Sequence, residues 1–480
     1  MEERKIQLPF YLGIQVEKIL KEKHNITHKD DIPGIKRFTM EELELITSIE
    51  IKNPISGSLD GVHLLPNLET LKVESSAITA HLQDKNILSI SDEDIKSISK
   101  CISLKNLSIV NQARVSYIDV SKLENLETIN ITHNQHLEEI QGLDKLQKIY
   151  KLNCYGNNRL FEIGKLDKII ENSPDLSEVH LDVLLFPEAI GYNLRTGEYN
   201  KQALNKLKEM YTVKWCEGLN GNRAIKINTY QMIQIHNKAC EILEEDIPKR
   251  GDIRDTIIGI ESYLSRTVKY DYDSMKNGHS NGSYQEIDGI NVRLRNGPKV
   301  GANGAYNALI RNTCVCEGYT RAMQYLLKLK GINSHNVDCY AEKDSTHMAD
   351  GTHENMYTRY EMPVSSEYHS IICIDDYNCL YDDPCWNACY YQAGDKSMPW
   401  LLKTKEEISR DHTLSFDERV VSNNALKENA EIIKSSIKRN DLFIQSKTKA
   451  SSIAETKKDI TRGIKGQIIE NGRTELWVLK

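Results

Sequence analysis

Residues 313–331 read TCVCEGYTRAMQYLLKLKG, two cysteines one residue apart followed at once by a helical pattern. Tyr319, Ala322, Met323, Leu326 and Leu327 recur at i, i+3, i+4, i+7 and i+8, the spacing of one buried helix face. Gly331 follows the last apolar position, where a helix C-terminus takes a residue able to adopt positive φ. A cysteine therefore stands where a loop becomes a helix. A thiol in that place can pack, ligate a metal or act as a nucleophile. The helix dipole and the unpaired N–H groups of a first turn favour the thiolate that ligation and attack both need. Cys316 is at the helix start, while Cys314, two positions earlier, reads as a packing residue and the competing nucleophile.

The other cysteines invite a metal reading. Cys373, Cys379, Cys385 and Cys389 could gather a zinc ion with Cys314 or His369. Their spacings, x5, x5 and x3, are not the paired CxxC of structural zinc sites, so no metal and no cofactor are expected. The acidic run starting at Asp271 lacks the glycine and glutamate that a calcium-binding EF-hand loop places sixth and twelfth.

What must position these residues is a chain of 480, long enough for roughly three domains. Hydrophobic residues make up 39% and charged residues 27%, which suits ordinary buried cores. A net charge of −7 with spread cations argues against nucleic-acid or membrane-surface partners. No apolar run approaches the ~20 residues of a membrane span, and the N-terminus lacks the uninterrupted apolar core of a secretory signal. Eleven cysteines, without the spacing of a disulfide scaffold, read as reduced thiols in a cytoplasmic protein, with signal-independent export left open.

Between residues 40 and 185 a triple of apolar residues recurs. It runs Ile46-x-x-Ile49-x-Ile51, Leu68-x-x-Leu71-x-Val73, Leu104-x-x-Leu107-x-Ile109, Leu126-x-x-Ile129-x-Ile131, Ile149-x-x-Leu152-x-Cys154 and Leu176-x-x-Val179-x-Leu181. The starts lie 22, 36, 22, 23 and 27 residues apart, a repeat period with insertions. Asn134 and Asn157 stand at the turn after two copies, where a side-chain amide can satisfy stacked backbone groups. This resembles a leucine-rich repeat solenoid, in which no unit hides its strand face alone. The resemblance implies a surface for a protein partner. Residues 1–40 read as a helical cap and 41–225 as the repeat domain.

From about residue 226 the repeat stops. Two amphipathic helices follow, then a Gly/Asn-rich loop over 277–304, the cysteine stretch, and a pair of strands in EYHSIICIDDYNCLYDDPCW with a turn near Asp375–Asn378. The order KYDYD, GAYNALIRNTCVCEGYTRA, YHSIICID, YDDPCW, WLLKTKEEISRDH resembles the bacterial transglutaminase-like family, a papain-related group that uses a Cys-His-Asp triad. The resemblance implies an α+β fold over roughly 226–425, with Cys316 as nucleophile, His369 as base and Asp383, in Asp-Pro-x-Trp, as acid. Residues 426–480 read as a C-terminal appendage that ends in an Asn471-Gly472 hairpin signal.

Strand parity bears on the acid. An odd connecting loop, for example 375–377, sets His369 opposite Asp383, whereas an even loop puts Asp382 on the histidine's face. The motif favours Asp383, and Asp382 stays as the alternative. The sequence departs from the family at Ser370, Ile371 and Ile372 after the histidine and at Cys385 before the tryptophan. His347 and His353 fall in a polar insertion ahead of the base. For an oxyanion the Cys316 N–H is the backbone donor, with Tyr306 as a side-chain candidate. The expected function is thiol-dependent acyl transfer or amide hydrolysis on proteins or peptides, as protease, deamidase or transglutaminase. The alternative is an inactive transglutaminase-like scaffold that binds protein.

Overall fold

The computed structural model describes residues 5–28, 36–75, 89–134, 136–193, 195–209, 213–220, 223–249, 251–271, 283–287, 290–294, 301–341 and 367–414. The expected appendage at 426–480, its Asn471-Gly472 hairpin, and the insertion carrying His347 and His353 lie outside them. The chain divides between Glu178 and Val179 into two compact units.

In the first unit, strands Ser48–Lys52, Thr70–Glu74, Asn106–Val110, Thr128–Thr132 and Lys151–Asn153 pair in parallel, in that order. The middle residues of successive triples face one another: Ile49 with Leu71, Leu71 with Leu107, Leu107 with Ile129, Ile129 with Leu152. All three positions of all six triples are buried. Burying one aliphatic side chain stabilises by ~1.5–3 kcal/mol, and each copy obtains that burial from its neighbours. The turn amides form a ladder. Asn157 Oδ1 accepts from the Asn134 N–H at 2.8 Å, and Asn134 Oδ1 accepts from the Gln112 N–H at 2.9 Å. Gln112 continues the ladder by accepting from the Ile90 N–H at 3.1 Å. Ahead of the strands, helix Phe10–His24 accompanies an antiparallel pair, Ile6–Leu8 with Lys36–Phe38.

In the second unit, the strand of the sixth triple, Glu178–Asp182, pairs in parallel with Val213–Asn220, which pairs antiparallel with Arg223–Asn228. Helices Thr229–Glu245 and Ile253–Thr267 open with reciprocal capping boxes, Asn228 with Gln231 and Asp252 with Asp255. Part of the stretch read as a Gly/Asn-rich loop is an antiparallel hairpin, Ser283–Ile287 with Ile290–Leu294. The Asp288-Gly289 pair between those strands is a tight-turn signal that the surrounding glycines and asparagines obscured.

A four-stranded antiparallel sheet follows, in the order Leu380–Asp382, Glu367–Ile374, His335–Ala341, His412–Leu414. Helix Cys316–Leu329 packs on strand Glu367–Ile374, and helix Pro384–Ala393 packs on Ile253–Thr267. The architecture is mixed α+β. No helix among the described residues is long and apolar enough to cross a membrane.

Candidate active site

Cys316 is the first residue of helix Cys316–Leu329 and is half-buried. The helix is buried on nearly every side, so its start is fixed by packing. Val315 before it is extended and donates its N–H to Ala302 O at 2.9 Å. Gly318 permits the close approach: a Cβ there would lie 2.5 Å from Cys314 Cβ and 2.7 Å from Ala302 O. Cys314 lies in a two-residue strand paired with Tyr270 and is fully buried, and burial pushes its thiol well above the ordinary range. It is a packing residue, as its position before the helix suggested.

His369 lies on strand Glu367–Ile374, opposite Cys339. Its Nε2 lies 2.9 Å from Asp383 Oδ2, and the Cys316 side chain lies close enough to add to the upward pull on the imidazole pKa. Asp383 holds Nε2, which leaves Nδ1 for the thiol. Burial alone would pull the imidazole pKa down, but the Asp383 charge and hydrogen bond, with Cys316 adding to them, outweigh it, and the net shift is well upward.

The carboxylate that meets His369 belongs to Asp383. The strands are joined by an odd turn, residues 375–379, two residues longer than the 375–377 example, and pair Ile372 with Asp382, Cys373 with Tyr381 and Ile374 with Leu380. The strand ends at Asp382, so Asp383 shares the parity of His369 without pairing with it. Asp383 is instead the N-cap of helix Pro384–Ala393, with its Oδ1 accepting from the Trp386 N–H at 3.0 Å and Pro384 in the first turn. The Asp-Pro-x-Trp motif is thus a helix start. Burial alone would raise this carboxyl, but His369 and His412 drive it well below the usual range.

His412 is the partner the sequence did not reveal. Its Nε2 lies 3.0 Å from the same Asp383 Oδ2, and its Nδ1 lies 2.6 Å from Asp411 Oδ1. Asp411 Oδ2 accepts from Trp400 Nε1 at 2.8 Å. Carboxylates only accept, so with both partners ionised each nitrogen of His412 carries a proton and the ring is an imidazolium. Burial opposes that charge, but Asp383 and Asp411 outweigh burial and raise the pKa. Trp386 lies against both imidazoles, with ring centroids 5.5 Å from His369 and 4.6 Å from His412, and excludes water from the pair. Asp411 and His412 close the WLLKTKEEISRDH segment, but nothing in the sequence says that they meet Asp383.

Asp382 is buried on the other face. Its Oδ1 accepts from Asn387 Nδ2 at 2.9 Å, and its Oδ2 has no hydrogen-bond partner among the described residues. Glu261 lies beside it, fully buried, with Oε1 accepting from Ser265 Oγ at 3.0 Å and Oε2 likewise without a partner. Burial first, then Glu261 and Asp383, raise Asp382 well above the carboxylate range. Burial pushes Glu261 up to about 8. Both shifts run toward the neutral acid, whereas Asp383, lowered by its two histidines, is the carboxylate held in its charged form beside His369. Tyr306 donates its hydroxyl to Gln234 Oε1 at 3.1 Å, a partner its oxyanion candidacy did not anticipate.

A second thiol, imidazole and carboxylate meet at His335, Cys373 and Asp375, whose polar atoms lie within 4.8 Å of one another. The group is a Cys-His-Asp type of cluster and is compatible with thiol chemistry. Cys379, Cys385 and Cys389 join no such three-residue cluster among the described residues, so the zinc set considered from the sequence does not assemble.

No known protein family matches the chain, and no curated protein matches it. Among solved structures, an internalin (inlF) from Listeria monocytogenes is similar over 34% of this chain, at 16% identity and a TM-score of 0.19. The match spans 56% of that protein, little more than half its length. An internalin C2 (inlC2) from the same organism is similar over 38% of this chain and 90% of its own, at 17% identity and a TM-score of 0.21. Likenesses this partial bear on neither fold nor function.

Proposed function

We propose that the chain is a papain-related, transglutaminase-like thiol enzyme that transfers the acyl group of a protein or peptide amide through a thioester on Cys316. The hydrogen bond from His369 to the buried Asp383, with Cys316 beside the ring in the same compact unit, carries this reading. His369 Nδ1 takes the thiol proton, and Cys316 Sγ attacks the amide carbonyl. The Cys316 N–H, at the helix start and without an acceptor among the described residues, supplies a donor for the oxyanion. The proton on Nδ1 passes to the departing amine as the C–N bond breaks, leaving the thioester. Water or an amine then gives its proton to Nδ1 and attacks the thioester, which returns the thiol. Asp383 keeps the proton on Nε2 throughout, so that Nδ1 is the working nitrogen, and stabilises the imidazolium.

Cys316 suits this role better than Cys373. Cys316 is half-buried at a helix start, whereas Cys373 is 3% exposed near the end of a paired strand. The parallel ladder with its amide stack supports a leucine-rich repeat array that recognises the protein substrate or partner. Intact-mass measurement after incubation with a thiol-reactive amide mimic tests the enzyme. Wild type gains one acyl adduct and Cys316→Ala gains none. An adduct that persists in Cys316→Ala, or maps to Cys373, overturns the assignment.

A further inference from the structure

His335, Cys373 and Asp375 stand apart from the proposed nucleophile and its base, and the thioester chemistry leaves them unused. Their convergence is built into the sheet. His335 opens its strand directly across from Cys373, so both side chains leave the same face at the spacing of a cross-strand pair. Asp375, two residues beyond Cys373 at the start of the turn, brings its Oδ2 to 2.9 Å from His335 Nδ1. The turn is tied to the loop ahead of His335 by the Asn333 N–H, which donates to Asp376 Oδ2 at 2.7 Å. The two arms that carry the three side chains are therefore clamped together before anything binds.

We propose that these three residues bind one divalent transition-metal ion of the zinc type, with water as the fourth ligand. The donors are one imidazole nitrogen, one thiolate sulfur and one carboxylate oxygen, a set that suits zinc or cobalt and ill suits calcium or magnesium. With metal–ligand bonds of about 2.0–2.3 Å, the ligand atoms of a tetrahedral site sit roughly 3.3–3.6 Å apart. The three atoms here lie within 4.8 Å of one another, so small side-chain rotations close the site. The side chains of His335 and Asp375 are 19% and 21% exposed, which leaves a path for the ion and a solvent side for the water. Tyr381 pairs with Cys373 on the other side of its strand and borders the site. Binding releases the thiol proton, so affinity rises with pH. The ion pins the end of the strand that also carries His369.

Cobalt titration of the full-length protein, stripped with chelator and kept reduced, is the test. One equivalent of Co²⁺ produces a thiolate-to-cobalt charge-transfer band that Zn²⁺ displaces. His335→Asn and Cys373→Ser lose the band, while Cys316→Ala keeps it. Should Cys373→Ser fail to fold, His335→Asn, at a partly exposed position and checked by circular dichroism, decides alone. The proposal is overturned by a wild type that gives no band saturating at one equivalent. It is equally overturned by a folded His335→Asn that keeps the band, or by loss of the band in Cys316→Ala, which would move the ion to the His369, Asp383 and His412 group.

Discussion

Glu261→Gln should make the second unit more stable at neutral pH, and the gain should grow with pH. In the fold, burial holds the Glu261 carboxyl at about 8. Unfolded, it titrates near ~4.3. A group whose pKa is raised by folding gives its full stability below the unfolded value and loses it as pH rises through the folded one. From about 4.3 to about 8 the native state therefore keeps a proton that the unfolded chain has released, at roughly 1.36 kcal/mol per pH unit. Glutamine has no proton to lose and fills the same volume, and its amide can donate toward Asp382. Between pH 5.5 and 7.5 the variant's advantage over wild type should grow by about 2.7 kcal/mol. Three of the four tryptophans, Trp215, Trp386 and Trp400, lie in the second unit, so tryptophan fluorescence in urea, recorded in a Trp477→Phe background, follows its unfolding. Labelling of Cys316 should stay at the wild-type rate, because Glu261 touches neither thiol nor base. A stability difference unchanged across that range, or a variant weaker than wild type at pH 7.5, would show that Glu261 is ionised in the fold and refute the reasoning.

Asp383→Asn should turn its amide N–H toward both imidazoles and force the proton off His369 Nε2, with a loss of about 10⁴-fold in kcat on the amide mimic. Asp382→Asn, replacing a neutral acid on the other face, should stay within a few-fold of wild type; equal losses in the two variants would contradict the assignment of the acid. Iodoacetamide with peptide mapping should label Cys316 well before Cys314, and the reverse order would transfer the nucleophile to the buried thiol. Gly318→Ala must displace Cys314 or the Ala302 carbonyl, at a cost of about 1–3 kcal/mol in urea unfolding, and should slow Cys316 labelling as the helix start shifts. Unchanged stability and labelling would mean that the close packing does not hold the thiol in place.

The parts that could be read from the sequence are those whose cause is local or periodic. The apolar triples are legible because mutual burial leaves a spacing that survives insertions, as between Leu68 and Leu104. The amide ladder was read at Asn134 and Asn157, but its next rung is Gln112, whose longer side chain makes the same bond from a position the pattern did not mark. Parity placed Asp383 on the histidine's face, though the turn length was two residues short, because turn length rests on backbone conformations such as the left-handed Asn378 and Cys379. His412 and Glu261 were invisible for a different reason. Each gains its partners by tertiary packing, 29 residues from Asp383 in one case and across a helix contact in the other, and neither has a motif of its own.

Asp383 is at once the carboxylate behind the base and the cap of a buried helix. Natural selection for folding alone would therefore retain a capping side chain there, Asp or a substitute such as Asn or Ser, even in a descendant that had given up chemistry. Its presence in a related sequence reports an intact helix start and says little about turnover. Cys316 has no comparable duty: its side chain is half-buried and caps nothing, so a lineage that abandoned catalysis would be free to replace it first. Among variants of this chain, the thiol is the residue whose loss would mark the passage from enzyme to binding protein.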